Sequence, residues 1–175
     1  MVILKLRRGL RAWRLTCFLG ALLALSSDVG MSQATPPTGG TDEIVLVRGQ
    51  VLYVPVYSHI FMGTASGTFD LTTTLSLRNT DREHAITFSS VRYYDSAGTL
   101  VRAYLEEPRR LAPLASTEVV VEERDRTGGA GANFIVEWSA DASVTAPVVE
   151  AVMISTASSQ GLSFVSAARV LEQTP

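Results

Sequence analysis

His59 and His84 are the two imidazoles of this 175-residue sequence, and His59 is the better placed for chemistry. It follows Pro55 and Tyr57 at what reads as a strand end. There it could touch a ligand or act as a general base, although a base needs an identifiable partner. The plainer reading is a half-buried ring satisfied by a backbone carbonyl. His84 falls in the polar turn Asp81-Arg-Glu-His and reads as solvated.

Three acids, Glu122, Glu123 and Asp125, precede Gly128-Gly-Ala-Gly131. Oxygen ligands alone can hold calcium, but the spacing matches no EF-hand loop, and Arg124 and Arg126 suggest a self-paired turn. With two His and a single Cys at position 17, a structural zinc site lacks ligands. The glycine run has no following Lys-Ser/Thr and leads into the strand-like Asn133-Phe-Ile-Val-Glu-Trp, so it is no Walker or dinucleotide loop. It reads as a loop whose glycines allow positive φ and whose N–H groups could meet a ligand or partner. Glu106 and Glu107 are neighbours in extended chain and would point to opposite faces, which argues against glycosidase pairing. No serine sits in Gly-x-Ser-x-Gly, and the one Lys, Lys5, is too far forward for Ser-x-x-Lys. Tyr93, Tyr94 and Trp138 could stack on a sugar, but core packing is the simpler use. No cofactor and no metal is expected.

The segments that must position these residues have the period of strands. Leu71, Thr73, Leu75 and Leu77 alternate with Thr72, Thr74, Ser76 and Arg78. Asn79-Thr-Asp81 supplies a turn. Ile86 and Phe88 share one phase and Val91 and Tyr93 the other, so a bulge is expected at Ser89-Ser90. Asp95-Ser-Ala-Gly98 should turn the chain into Thr99–Leu105 as a hairpin. Pro108 and Pro113 bracket a connection. Val119 and Val121 share a face, as do Phe134, Val136 and Trp138. The nearly continuous apolar run 148–156 suggests a central strand covered on both faces, and 164–171 a last strand. Pro55 cannot donate to a ladder, which predicts that strand 51–57 lies at an edge or is bulged. Turn signals about ten residues apart make the fold all-β: an antiparallel β-sandwich of seven to nine strands, immunoglobulin-like.

The N-terminus reads as an export signal. Lys5, Arg7, Arg8, Arg11 and Arg14 precede an uncharged run, Leu15 to Leu25, and then the small-x-small step Ser32-Gln-Ala34. Eleven apolar residues fall well short of the ~20 that span a bilayer, so no stable membrane anchor is expected. The expected organisation is a signal peptide at 1–34, a flexible lead-in at 35–43 and one domain at 44–173, in a periplasmic or secreted protein. Arg7-Arg8 leaves twin-arginine export open beside the general route. Of the 15 basic and 17 acidic residues, ten and sixteen remain beyond Ala34, a net of −6. That balance disfavours nucleic acid as a partner.

Six blocks carry a resemblance in their order and spacing: Tyr53-Val-Pro-Val-Tyr-Ser-His59, Leu75-Ser-Leu-Arg-Asn-Thr-Asp81, Val91-Arg-Tyr-Tyr-Asp95, Leu111-Ala-Pro-Leu-Ala-Ser116, Gly128-Gly-Ala-Gly-Ala-Asn-Phe134 and Glu150-Ala-Val-Met153. Over about residues 48–171 the chain resembles an uncharacterised bacterial exported family, domain of unknown function 3124. The resemblance implies no activity. Strand layout and the Leu-Arg-Asn-Thr-Asp block are also faintly similar to the β-sandwich of sensory rhodopsin transducers, a likeness of fold only.

The expected function is a non-enzymatic binding or interaction module for an unknown protein or small ligand. Tyr57, His59 and Asn133 should lie on one end of the sandwich as its recognition surface. The alternatives are a small periplasmic hydrolase using His59, or a structural subunit of an envelope assembly built on the Pro55 edge.

Overall fold

Twelve strands and no helix make up the described residues of the computed structural model, which are Ile44, 46–156 and 161–175. The expected signal peptide and lead-in lie outside them. The strands are β1 Leu46–Pro55, β2 His59–Met62, β3 Thr64–Asp70, β4 Thr72–Arg78, β5 Ile86–Tyr94 and β6 Leu100–Ala103. They continue with β7 Arg109–Leu111, β8 Ser116–Val121, β9 Asn133–Thr145, β10 Val148–Ser155, β11 Leu162–Ala167 and β12 Arg169–Thr174.

Every pairing is antiparallel. A six-stranded sheet runs β12-β1-β9-β5-β6, with β7 also on β5; a four-stranded sheet runs β11-β10-β4-β8; β2 and β3 form a separate hairpin. The two larger sheets feed one core. Leu75, Leu77, Val119, Val121, Ala151 and Met153 come from one, and Leu52, Val54, Ile86, Phe88, Tyr93, Phe134, Val136 and Trp138 from the other. Period-two alternation of Val, Leu, Thr and aromatic residues puts one row inward and one outward, as a pleated strand requires. The bulge expected at Ser89-Ser90 is present, as a register shift between Phe88 and Ser90. The hairpin turn at 95–98 closes with Asp95 N–H on Thr99 O at 2.9 Å and Gly98 at φ 80°.

Several expectations give way. The strand count exceeds nine because short segments pair on their own: β7 lies within the 108–113 connection, and β2–β3 occupies what reads as a glycine loop at 63–67. β1 is not an edge strand, since β12 and β9 flank it, but the other half of that expectation is met by a register shift between Val51 and Leu52 in its ladder with β12. Pro55 is its last residue, beyond the end of the β12 ladder, so its missing N–H removes no bond from that side. β10 is central in pairing but covered on one face only, with Val148 and Ile154 exposed. Residues 164–171 do not form one strand in one sheet: the chain passes from β10 to β1 at Ala168, whose N–H bonds Val149 O at 3.0 Å. Glu106 and Glu107 lie in a bend, outside any strand.

The far end of β4 is held by a buried polar corner. Asn79 Nδ2 donates to the carbonyls of His84 (2.9 Å), Leu111 (3.3 Å) and Ala112 (2.9 Å). Asp81 Oδ1 accepts the N–H groups of Glu83 and His84, and Oδ2 that of Thr145. These donors hold the Asp81 carboxyl down from 3.8 to about 2, the Glu83 and His84 N–H groups first. His84 is therefore more than a solvated turn residue, with Nδ1 3.2 Å from Asp81 Oδ1. Leu114 sits at φ 59° in the same corner, its N–H on Asp81 O at 3.2 Å.

Candidate functional site

At the other end of β4 the chain leaving Pro55 runs beside the glycine loop. Val56 N–H bonds Ala132 O at 2.9 Å, and Ser58 N–H bonds Gly129 O at 3.1 Å. Ser58 is buried, and its hydroxyl also donates to Gly129 O, at 3.1 Å. From the opposite side the 95–98 turn grips the same loop. Ser96 donates through Oγ to Gly128 O at 3.0 Å and accepts from Gly131 N–H at 2.9 Å.

Two serines thus clamp the loop, and its glycines have separate reasons to be glycine. A Cβ on Gly128 would lie 1.9 Å from the Tyr93 hydroxyl oxygen, so only a bare backbone fits against that ring. Gly129 has φ 74°, where side chains are strained. The N–H groups of Thr127, Gly129 and Gly131 are bonded within the protein. The run is therefore a packed joint more than an open anion cradle. Under it Tyr93, Tyr104 and Phe134 form a ring cluster with centroids 5.0–6.5 Å apart. Burial pushes the Tyr93 hydroxyl up to about 12, and the nearby Asp125 carboxylate adds to the shift. Tyr104 is raised for the same first reason.

His59 opens β2, half-buried, opposite Asp70 in β3. Its Nδ1 is 3.1 Å from Ser58 Oγ, and its ring meets Phe61 edge-on at 5.6 Å. Ser58 Oγ is equally near Gly129 O, which can only accept; with its one proton placed there, His59 donates from Nδ1 and Nε2 is the acceptor in the neutral ring. A serine nucleophile would need the reverse polarity, donating to the histidine. Asp70, the nearest carboxylate in register, is engaged elsewhere: Arg126 Nε donates to its Oδ1 at 2.6 Å while Arg126 Nη2 donates to Thr68 Oγ1 at 2.6 Å. That link ties β3 to the 122–127 turn.

Tyr57 turns toward the four-stranded sheet, its ring 5.8 Å from Phe164. Asn133 is paired with Pro55 and Tyr94, in the six-stranded sheet. The three residues expected at one end all adjoin the same joint, but among the described residues no hydrogen bond or ring contact joins Asn133 to Tyr57 or His59. The hairpin adds what the sequence reading passed over. Phe61 is 59 % exposed and Met62 51 %, at the turn through Gly63. An apolar pair directly before a glycine was the available signal.

Asp125, one of the three acids weighed for calcium, accepts Thr127 N–H and faces Arg102 at 3.6 Å. Among the described residues no three His, Cys, Asp or Glu side chains could share a metal ion. A cleft of about 660 Å³ lies elsewhere, between Arg48, Gln50, Glu137, Trp138, Asp141 and Glu172. His59 does not line it.

A family model described as protein of unknown function DUF3124 matches residues 49–171. The chain belongs to this family. Both serine clamps, the glycine loop and the β2–β3 hairpin fall inside the DUF3124 match, as does the buried corner. No curated protein matches the sequence. Among solved structures, a crystal structure of Thermotoga maritima 1070 is similar at 11 % identity, covering 72 % of this chain and 97 % of that one, with a TM-score of 0.42.

Proposed function

We propose that this DUF3124 member is an exported, non-enzymatic interaction module with an immunoglobulin-like sandwich. The reading places it in the periplasm or outside the cell, its signal peptide removed. It engages a protein partner or small ligand at the end built from Tyr57, His59, Asn133 and the β2–β3 hairpin. One observation carries this: Phe61 and Met62 stand exposed on a hairpin whose base is fixed by Ser58 on Gly129 and by Arg126 on Asp70. Aromatic and Met side chains on a rigid support bind with little ordering cost, and they are enriched at interface cores. His59 beside them offers Nε2 to a donor. Ser58 supports binding over hydrolysis, because its oxygen is buried and lies within hydrogen-bond reach of Gly129 O.

Crosslinking in the native envelope tests the reading. Wild type should capture a reproducible partner that Phe61→Ser/Met62→Ser loses, with unchanged thermal melting. Equal capture by both proteins would remove the hairpin from the function.

A further inference from the structure

β11 and β12 follow one another with only Ala168 between, so residues 162–174 form one long edge shared by both sheets. The first half pairs with β10 and the second with β1. Among the described residues nothing pairs with its other side. Side chains along this edge include exposed Val165 (57 %), Val170 (51 %) and Leu171 (57 %). Unpaired N–H and C=O groups beside apolar side chains are a template for another strand, and natural edges usually carry charges that refuse one. The charges here are of a different kind. Arg169 lies opposite Tyr53 and Glu172 opposite Val51, both in the outward row of β1. They share a face because Leu171 is an extra residue in the β12 ladder, where the register shifts between Val51 and Leu52.

An edge bearing one Arg and one Glu, with two apolar residues between them, is complementary to itself when reversed. We infer that two copies of this chain pair through β12, antiparallel, about a two-fold axis at Val170–Leu171. In either register centred on those residues, each Arg169 falls within one position of the second copy's Glu172, twice per dimer. The apolar pairs meet on the axis. An isologous contact uses the same patch on both copies and closes on itself, so the pairing stops at two. It also sets two cations against two anions, in a chain whose portion beyond Ala34 carries a net −6 and would otherwise repel its copy. This inference is independent of the hairpin reading.

Sedimentation velocity of the full chain over a wide concentration range tests it. Wild type should be a dimer. Arg169→Glu and Glu172→Arg should each raise the dissociation constant about tenfold or more, since each turns two attractive cross-strand contacts repulsive. The double variant Arg169→Glu/Glu172→Arg should return to near wild type. Leu171→Arg, which leaves both charges in place but sets like charges on the axis, should also yield monomer. Circular dichroism melts report whether each variant is folded. A wild type that stays monomeric at about 100 µM, well above a micromolar dissociation constant, would overturn the inference. So would a dimer indifferent to the single swaps, or a double swap that fails to restore it.

Discussion

The two ends of β4 satisfy their backbone in opposite ways. At the 79–84 corner, side chains do it: Asn79 serves three carbonyls and Asp81 three N–H groups. At the 56–59 end, backbone meets backbone across a glycine loop, with Ser58 and Ser96 as short pegs. The corner consumes its polar side chains in holding residues 79–84 to 111–112 and to Thr145. The joint holds with glycine and serine, and in the adjoining hairpin Asp70 and Thr68 are bonded by Arg126 while Phe61 and Met62 are left exposed. Polar residues in loops therefore mean different things at the two ends: at the corner they satisfy buried backbone, and beside the joint they fix the base of a hairpin whose Phe61 and Met62 stand exposed.

Asn79→Ala is the hardest test of this contrast. It strips a donor from three carbonyls, and urea unfolding should show a loss of about 3 kcal/mol, as orphaned buried polar groups cost. A loss below about 1 kcal/mol would mean water replaces the amide and the corner is no lock. Gly128→Ala should cost about 2–3 kcal/mol by overpacking against Tyr93. Tyr93→Phe removes the hydroxyl at 1.9 Å but leaves the ring carbon at 2.5 Å and the Ala132 Cβ at 2.7 Å, so the double variant should recover only part of the loss. No recovery at all would put the strain at the ring carbon and Ala132 and remove the hydroxyl from it.

Acid sharpens the contrast further. The Asp81 carboxyl has a folded value near 2, below its ordinary 3.8. Its contribution is therefore complete above the ordinary value and is lost as pH falls from about 4 toward 2. Unfolding followed through that window should steepen in wild type relative to Asp81→Asn, and equal slopes would remove Asp81 from acid sensitivity. The smallest effect is expected at the hairpin. His59→Ala should shift stability by under about 0.5 kcal/mol while weakening partner capture. A loss of several kcal/mol with capture intact would make His59 a structural peg for Ser58.

What the sequence made legible was whatever is local. Leu71 to Leu77 alternate so regularly that their inward row could be read directly, and all four inward positions are buried. The bulge at Ser89-Ser90 was visible as a change of phase. Pro55 misled because a missing N–H marks a strand end as readily as a sheet edge, and the ladder decides between them. Residues 164–171 misled because hydropathy carries no trace of which sheet a strand joins. The candidate site was half legible. Tyr57, His59 and Asn133 do adjoin one joint, but the serine polarity at Ser58 and the contact of Gly128 with Tyr93 depend on partners 35 to 71 residues away. No spacing rule reaches them.

The β1–β12 ladder has a consequence in time. The first strand of the fold takes its outer neighbour from the last, Gly49 facing Thr174. Closing a loop of that length is entropically slow, and chains dominated by such pairings fold late. Until residue 174 is free of the ribosome, β1 lacks one of its two flanking strands, and the Gln50 amide has no Gln173 to meet at 3.0 Å. The strand that seals β1 is thus made long after it, and until then that side of β1 is open.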